Sequence, residues 1–188
     1  QLLVAVDKYM KRGSIITCYA LRILPHIFVR PSDLRFAKWS DVDLDNATWS
    51  FTPAKTETKM GTQLIVPLSQ QILKLFKELN MITGNNEYCF ATYQGDSPVL
   101  SESTMNKALK NLGWENGETT GHGFRATART LLDEVLRFPI ERIEQQLGHQ
   151  VRDMYGRAYN RTKYLDERKV MMQAWSDYLD TLKEKALN

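Results

Sequence analysis

The sequence predicts an α+β fold, mainly helical, with one small antiparallel β-sheet. Apolar residues recur at helical spacing over most of the 188 residues. Only the stretch from Trp39 to Pro67 changes character, to short β-branched and aromatic runs separated by polar turns. No internal repeat, low-complexity tract or linker divides the chain, so a single domain over residues 1–188 is expected, long enough to bury a real core.

Residues 2–11 and 14–27 carry the helical pattern, with Gly13-Ser14 as break and N-cap between them. Pro25 and Pro31 bracket a turn or short bend around Arg30. The runs T-W-S-F-T (48–52) and Q-L-I-V-P (63–67) read as strands joined by the polar loop P-A-K-T-E-T-K-M-G-T. An earlier turn at Asp43–Ala47 makes the sheet three-stranded. Ser69 caps a helix running to about Leu79, ended by T-G-N-N (83–86). Y-C-F-A (88–91) reads as a short strand. Ser101 or Ser103 opens a helix that ends near Gly113, and a loop then leads into a helix from about Phe124 to Leu136. Pro139 sits in the first turn of the next helix, which stops at Gly148, and a last long helix begins near Lys163.

With 43% hydrophobic and 25% charged residues the composition is that of a soluble globular protein. A net charge of +3 permits a polyanionic partner without demanding one. Cys18 and Cys89 lie far apart in apolar surroundings and read as buried free thiols of a reducing cytoplasm. No apolar run reaches membrane-spanning length, and no signal-peptide pattern is present. The chain opens at Gln1 inside a helical pattern, as expected of a piece of a longer protein.

Four residues near the C-terminal end suggest chemistry on a phosphodiester: His122 and Arg125 in H-G-F-R, His149 in L-G-H, and Tyr159 in R-A-Y-N-R. His122 and Arg125 are three apart at a helix start, where an anion is favoured. Alone, each also has an ordinary structural reading: a helix-capping histidine, a solvated arginine, an imidazole at a helix end, a half-buried tyrosine. Tyr159 stands between Arg157 and Arg161, which separates it from Tyr155 and Tyr164. Nearby guanidiniums and an imidazole base would make a phenol of normal pKa, about 10, a useful nucleophile. Arg30, between I-F-V and Pro31, is suited to bidentate oxyanion binding, and Asp33 could orient it or simply pair with it. Lys55 and Lys59 lie in the hairpin loop, either solvated or able to donate a proton to a leaving alkoxide. No C-x-x-C, H-E-x-x-H, D-x-D or glycine-rich phosphate loop occurs, so cationic side chains rather than a metal or nucleotide are expected to handle phosphate.

Five separated motifs in order, R-P-S-D-L (30–34), T-K-M-G (58–61), H-G-F-R-A-T-A-R-T (122–130), Q-L-G-H (146–149) and R-A-Y-N-R (157–161), resemble the tyrosine recombinase family. More narrowly, with the tail Y-L-D-E-R-K-V-M-M-Q-A-W-S-D-Y-L (164–179), they resemble the integrases of prophages and genomic islands. The resemblance spans the chain from about residue 12. It implies the catalytic domain fold of that family, without the core-binding and arm-binding domains that precede it there. It also implies strand cleavage and rejoining at double-stranded DNA attachment sites, with no cofactor, in a bacterial cytoplasm on the nucleoid.

By the same resemblance Tyr159 is the nucleophile and forms a 3′-phosphotyrosyl bond. Arg30 and Arg125 clamp the non-bridging oxygens, His122 assists proton transfer, and His149 hydrogen-bonds the phosphate. Lys59, preferred to Lys55 for its distance before I-V-P, is the general acid, and Asp33 orients the arginines. The family's usual Thr-Gly before the first arginine is replaced by Ile27-Phe28, Ser32 replaces a glycine, and Asp33 stands where glutamate is commoner. A tetramer on DNA is expected of the full-length protein, and a monomer or weak dimer, binding DNA weakly, of this chain. Met171, Trp175, Tyr178, Leu179 and Leu182 form an apolar stripe that either packs on the domain or docks on a neighbouring protomer. Two other readings share the fold: a type IB-like topoisomerase and a non-catalytic DNA-binding relic.

Overall fold

The computed structural model describes residues 1–9, 14–53, 63–92, 97–114, 122–149 and 164–188. Among these, eight α-helices and a three-stranded sheet follow in the order α1 (Leu2–Tyr9), α2 (Ile15–Ile27), α3 (Pro31–Arg35), β1 (Val42–Asp43), β2 (Thr48–Phe51), β3 (Leu64–Pro67), α4 (Gln70–Thr83), α5 (Glu102–Asn111), α6 (Gly123–Glu134), α7 (Ile140–Gln146) and α8 (Leu165–Leu187). The mainly helical fold with one small antiparallel sheet is the one expected.

Helix α2 is the axis of the core. It is apolar on nearly every face, which fits a helix packed all round, and it touches α1, α3, α4, α5, α6 and α8. Pro25 lies inside its last turn rather than beyond it. The Pro25 carbonyl accepts a hydrogen bond from the Trp175 indole at 2.9 Å, which ties the end of α2 to α8. Trp175, Met171 and Leu179 are buried, while Tyr178 and Leu182 pack at the margin of the core. The stripe on α8 therefore covers its own domain.

The sheet runs β1-β2-β3, antiparallel throughout, with Trp49 opposite Val66 and Phe51 opposite Leu64. Alternation puts Trp49 and Phe51 on one buried face, where their rings stack at 4.1 Å. The turn after β1 forms because the Asp43 carboxylate accepts the Asp45 and Asn46 amides at 3.1 and 2.9 Å. Ser69 caps α4 through the Ile72 amide.

Two expectations need correction. Helix α4 continues four residues past Leu79, to Thr83. The buried Thr83 hydroxyl is held by the carbonyls of Leu79 and Cys89, and the Trp39 indole donates to the Thr83 carbonyl at 2.9 Å. Residues 88–91 do not form a strand. Tyr88 bridges to Lys38 and Ala91 to Val99, so each end of the segment pairs with a different partner and no ladder grows. Cys18 and Cys89 are free and buried. Among the described residues, no helix is long and apolar enough to cross a membrane.

Candidate active site

The first expected site residue follows a left-handed turn. Helix α2 ends at Phe28, with φ 38° and ψ 37°. That conformation costs a non-glycine residue about 1–2 kcal/mol. Phe28 is fully buried, edge-on to Trp175 with centroids 6.2 Å apart, and burial of the ring offsets the strain. A residue bearing a side chain thus holds a turn for which glycine would be the usual choice. The turn aims the Phe28 carbonyl inward and leaves Arg30 extended at the N-cap of α3, with Pro31 fixing the first turn. Arg30 Nη1 lies 3.6 Å from Asp33 Oδ2, whose side chain is 3% exposed.

Arg125, one turn into α6, joins the motifs. Its Nη1 donates to the Phe28 carbonyl and its Nη2 to the Leu147 carbonyl, both at 2.8 Å. Those carbonyls lie two residues before Arg30 and two before His149. One planar guanidinium therefore sets the separation of the R-P-S-D and L-G-H segments. Among the described residues, two of its five N–H groups are engaged by these carbonyls, which leaves three for an anion. Burial and the neighbouring Arg30 charge lower the Arg125 pKa to about 10, against the opposing pull of Asp33 and Glu144. Two guanidiniums in mutual repulsion around one buried carboxylate form a site that gains from an arriving phosphate. His122 is exposed at the N-cap position of α6 and makes no capping bond with its side chain.

His149 is delivered by a Schellman turn. The Gly148 amide donates to Gln145 O at 3.1 Å and the His149 amide to Glu144 O at 3.0 Å. Gly148 has φ 67°, a left-handed conformation that glycine adopts without strain. The His149 ring returns onto the same residue, with Nδ1 at 2.5 Å from Glu144 Oε2. The other carboxylate oxygen of Glu144 accepts Arg129 Nε at 2.7 Å.

Lys59 and Tyr159, with Lys55 and Tyr155, lie outside the described residues. The Arg142 guanidinium lies over the Tyr164 ring, 4.1 Å from the ring centroid, which makes Tyr164 a packing residue. The structure thus brings Arg30, Asp33, Arg125 and the turn bearing His149 together. Among the described residues, no group of three or more His, Cys, Asp or Glu side chains could hold a metal ion.

Two further residues, Glu144 at the site and Arg168 in the core, escaped the sequence reading. Glu144 left no signal, because a glutamate on a short helix is ordinarily solvated. Arg168 did leave one: it falls at helical spacing with Met171, Met172, Trp175 and Leu179 on the apolar face of α8. It is fully buried, and burial alone lowers its pKa to about 10. Its Nε and Nη2 donate to Gln146 Oε1 at 3.1 and 2.6 Å, and Nη2 also reaches the Ile65 carbonyl. Arg168 therefore joins β3, α7 and α8.

The comparisons agree with this architecture. The description of the phage integrase family matches residues 1–165. The integrase of Enterobacteria phage P4 is 39% identical over 190 residues, covering 94% of this chain and 43% of the relative. Putative protein IntB of Escherichia coli K12 is 32% identical, covering 100% of this chain and 50% of the relative. Prophage integrase IntS of the same organism is 32% identical, covering 89% and 43%. The chain thus spans about half the length of the curated relatives it matches. The crystal structure of XerA recombinase has the same fold, with a TM-score of 0.62 at 16% identity over 97% of this chain and 61% of that one. The chain belongs to the phage integrase family of tyrosine recombinases.

Proposed function

We propose that this chain is the catalytic domain of a site-specific recombinase that cuts and rejoins DNA strands at attachment sites to integrate or excise a prophage or genomic island. The observation that carries the reading is the convergence of Arg30 and Arg125 with the His149 turn, fixed by the two carbonyl contacts of one guanidinium. In this mechanism the Tyr159 oxygen attacks the scissile phosphorus and gives up its proton with help from His122. A 3′-phosphotyrosyl bond forms as the bond to the 5′-oxygen breaks. Lys59 protonates that oxygen, releasing a 5′-hydroxyl. Arg30 and Arg125 neutralise the non-bridging oxygens of the pentavalent state, His149 hydrogen-bonds them, and Asp33 holds Arg30 in place. Attack by a 5′-hydroxyl on the phosphotyrosyl bond restores the phosphodiester. The energy of the broken link is retained, so the balance closes without a cofactor. The full-length protein would act as a tetramer on double-stranded DNA in the bacterial cytoplasm.

The test is a nicked suicide substrate carrying the attachment site. A covalent protein–DNA adduct is expected, lost in Tyr159→Phe and kept in Tyr155→Phe. Arg125→Lys should lower its formation by about 100-fold or more, because a single ammonium cannot span both carbonyls and a phosphate. Absence of any adduct from the full-length protein on its own site would refute the reading. Relaxation of supercoils without partner exchange would favour a topoisomerase instead.

A further inference from the structure

We propose that Glu144 is a positioning residue for the cleavage step, engaging the Nδ1 proton of His149 so that Nε2, when protonated, is the nitrogen that donates to the phosphate. The inference rests on the recombinase reading and extends it to a residue outside the expected set.

Three independent contacts support it. The Schellman turn bonds the His149 amide to the Glu144 carbonyl at 3.0 Å, fixing the backbone of one residue on the other. The imidazole Nδ1 then meets Glu144 Oε2 at 2.5 Å, a charge-assisted bond. Finally, Arg129 holds Oε1 at 2.7 Å from α6, one turn beyond Arg125. A carboxylate only accepts, so the proton in the short bond belongs to Nδ1. The ring nitrogen that carries the proton is set by the partner of the other, as in any carboxylate–imidazole pair. Burial pushes the Glu144 carboxyl up, but the bonds from His149 and Arg129 outweigh it, so it lies below its ordinary value and stays ionised.

The consequence is geometric. The α6 segment that presents Arg125 to the phosphate also braces, through Arg129, the carboxylate that aims His149. The two motifs are joined at Leu147 O by Arg125 and at Glu144 by Arg129. When Nε2 also carries a proton, the ring donates to a phosphate oxygen and Glu144 balances its charge.

The experiment has two readouts, the first on this chain and the second on the full-length protein. The first is long-range proton–nitrogen correlation of the imidazoles in nitrogen-15-labelled protein, a simple spectrum because the chain has three histidines. The wild type should show His149 protonated at Nδ1, and Glu144→Ala should shift the neutral ring toward the Nε2-protonated form. The second is single-turnover adduct formation on the nicked substrate. Glu144→Ala should lower the rate at saturating DNA by about tenfold, the scale of losing an outer carboxylate partner of a working histidine. The DNA concentration at half-maximal rate should stay within about twofold. Glu144→Gln, whose amide oxygen still accepts from Nδ1, should recover part of the rate, and Arg129→Ala should lose less than Glu144→Ala. An unchanged His149 spectrum in Glu144→Ala, or a wild-type rate in that variant, would overturn the proposal. So would a loss that follows the unfolding midpoint across all three variants. If the full-length wild type forms no adduct on its own site, the recombinase reading falls and the role of Glu144 in cleavage falls with it.

Discussion

His26 makes the stability of this fold depend on pH between about 4 and 6.5. The ring lies at the end of α2, 9% exposed, against α8. Its Nδ1–H donates to Ser176 Oγ at 3.0 Å, and the Ser176 hydroxyl donates in turn to Ser69 Oγ at 2.7 Å. Burial lowers its pKa from 6.5 to about 4, while Asp180 and Asp7 pull upward and Lys183 and Arg22 downward. Above pH 6.5 the ring is neutral in both states and nothing is lost. Between 6.5 and about 4 the unfolded chain takes up a proton that the folded chain refuses, so stability falls as pH falls and levels off below about 4. The full gap corresponds to roughly 3 kcal/mol, of which about 2 kcal/mol is lost by about pH 5. Urea unfolding at about pH 7.5 and about pH 5, compared between wild type and His26→Asn, isolates this contribution. Asparagine keeps a donor for Ser176 but does not titrate. The wild type should lose about 2 kcal/mol more than the variant. Equal losses in the two proteins would refute the reasoning.

The left-handed turn and the buried arginine yield two further tests by urea unfolding. Phe28→Ala and Phe28→Gly should both destabilise by about 2–5 kcal/mol through loss of the buried ring. The glycine variant should be the more stable by about 1 kcal/mol, because it alone relieves the positive φ, and the opposite order would refute the strain. Arg168→Met should cost about 3 kcal/mol, since it strands the Ile65 carbonyl and the Gln146 amide in the interior. Adding Gln146→Leu should recover part of that loss, and a double variant no more stable than the single one would count against the buried cluster.

Local rules account for what was legible along the chain. Ser69 before an apolar run, Pro139 at the start of α7 and Gly148 after its end announced their helix ends, because capping depends on a few neighbouring atoms. The β-branched and aromatic character of T-W-S-F-T gave the strand, and helical spacing in the tail gave the apolar stripe, whose packing on its own domain was one of two readings. The ordered motifs pointed to Arg30, Asp33, His122, Arg125 and His149, since residue type and order survive without coordinates.

Long-range contacts decided the rest. Helix α4 runs on to Thr83 because Trp39 and Cys89 satisfy groups at its end, and Y-C-F-A remains irregular because its partners are split. Arg125 was expected to grip a phosphate, but its bonds to carbonyls 97 and 22 residues away could not be read from spacing. Nor could the burial of Arg168, or the carboxylate of Glu144 between His149 and Arg129. A hydrogen bond between distant segments depends on where two backbones meet in space, and periodicity carries information only about one backbone at a time.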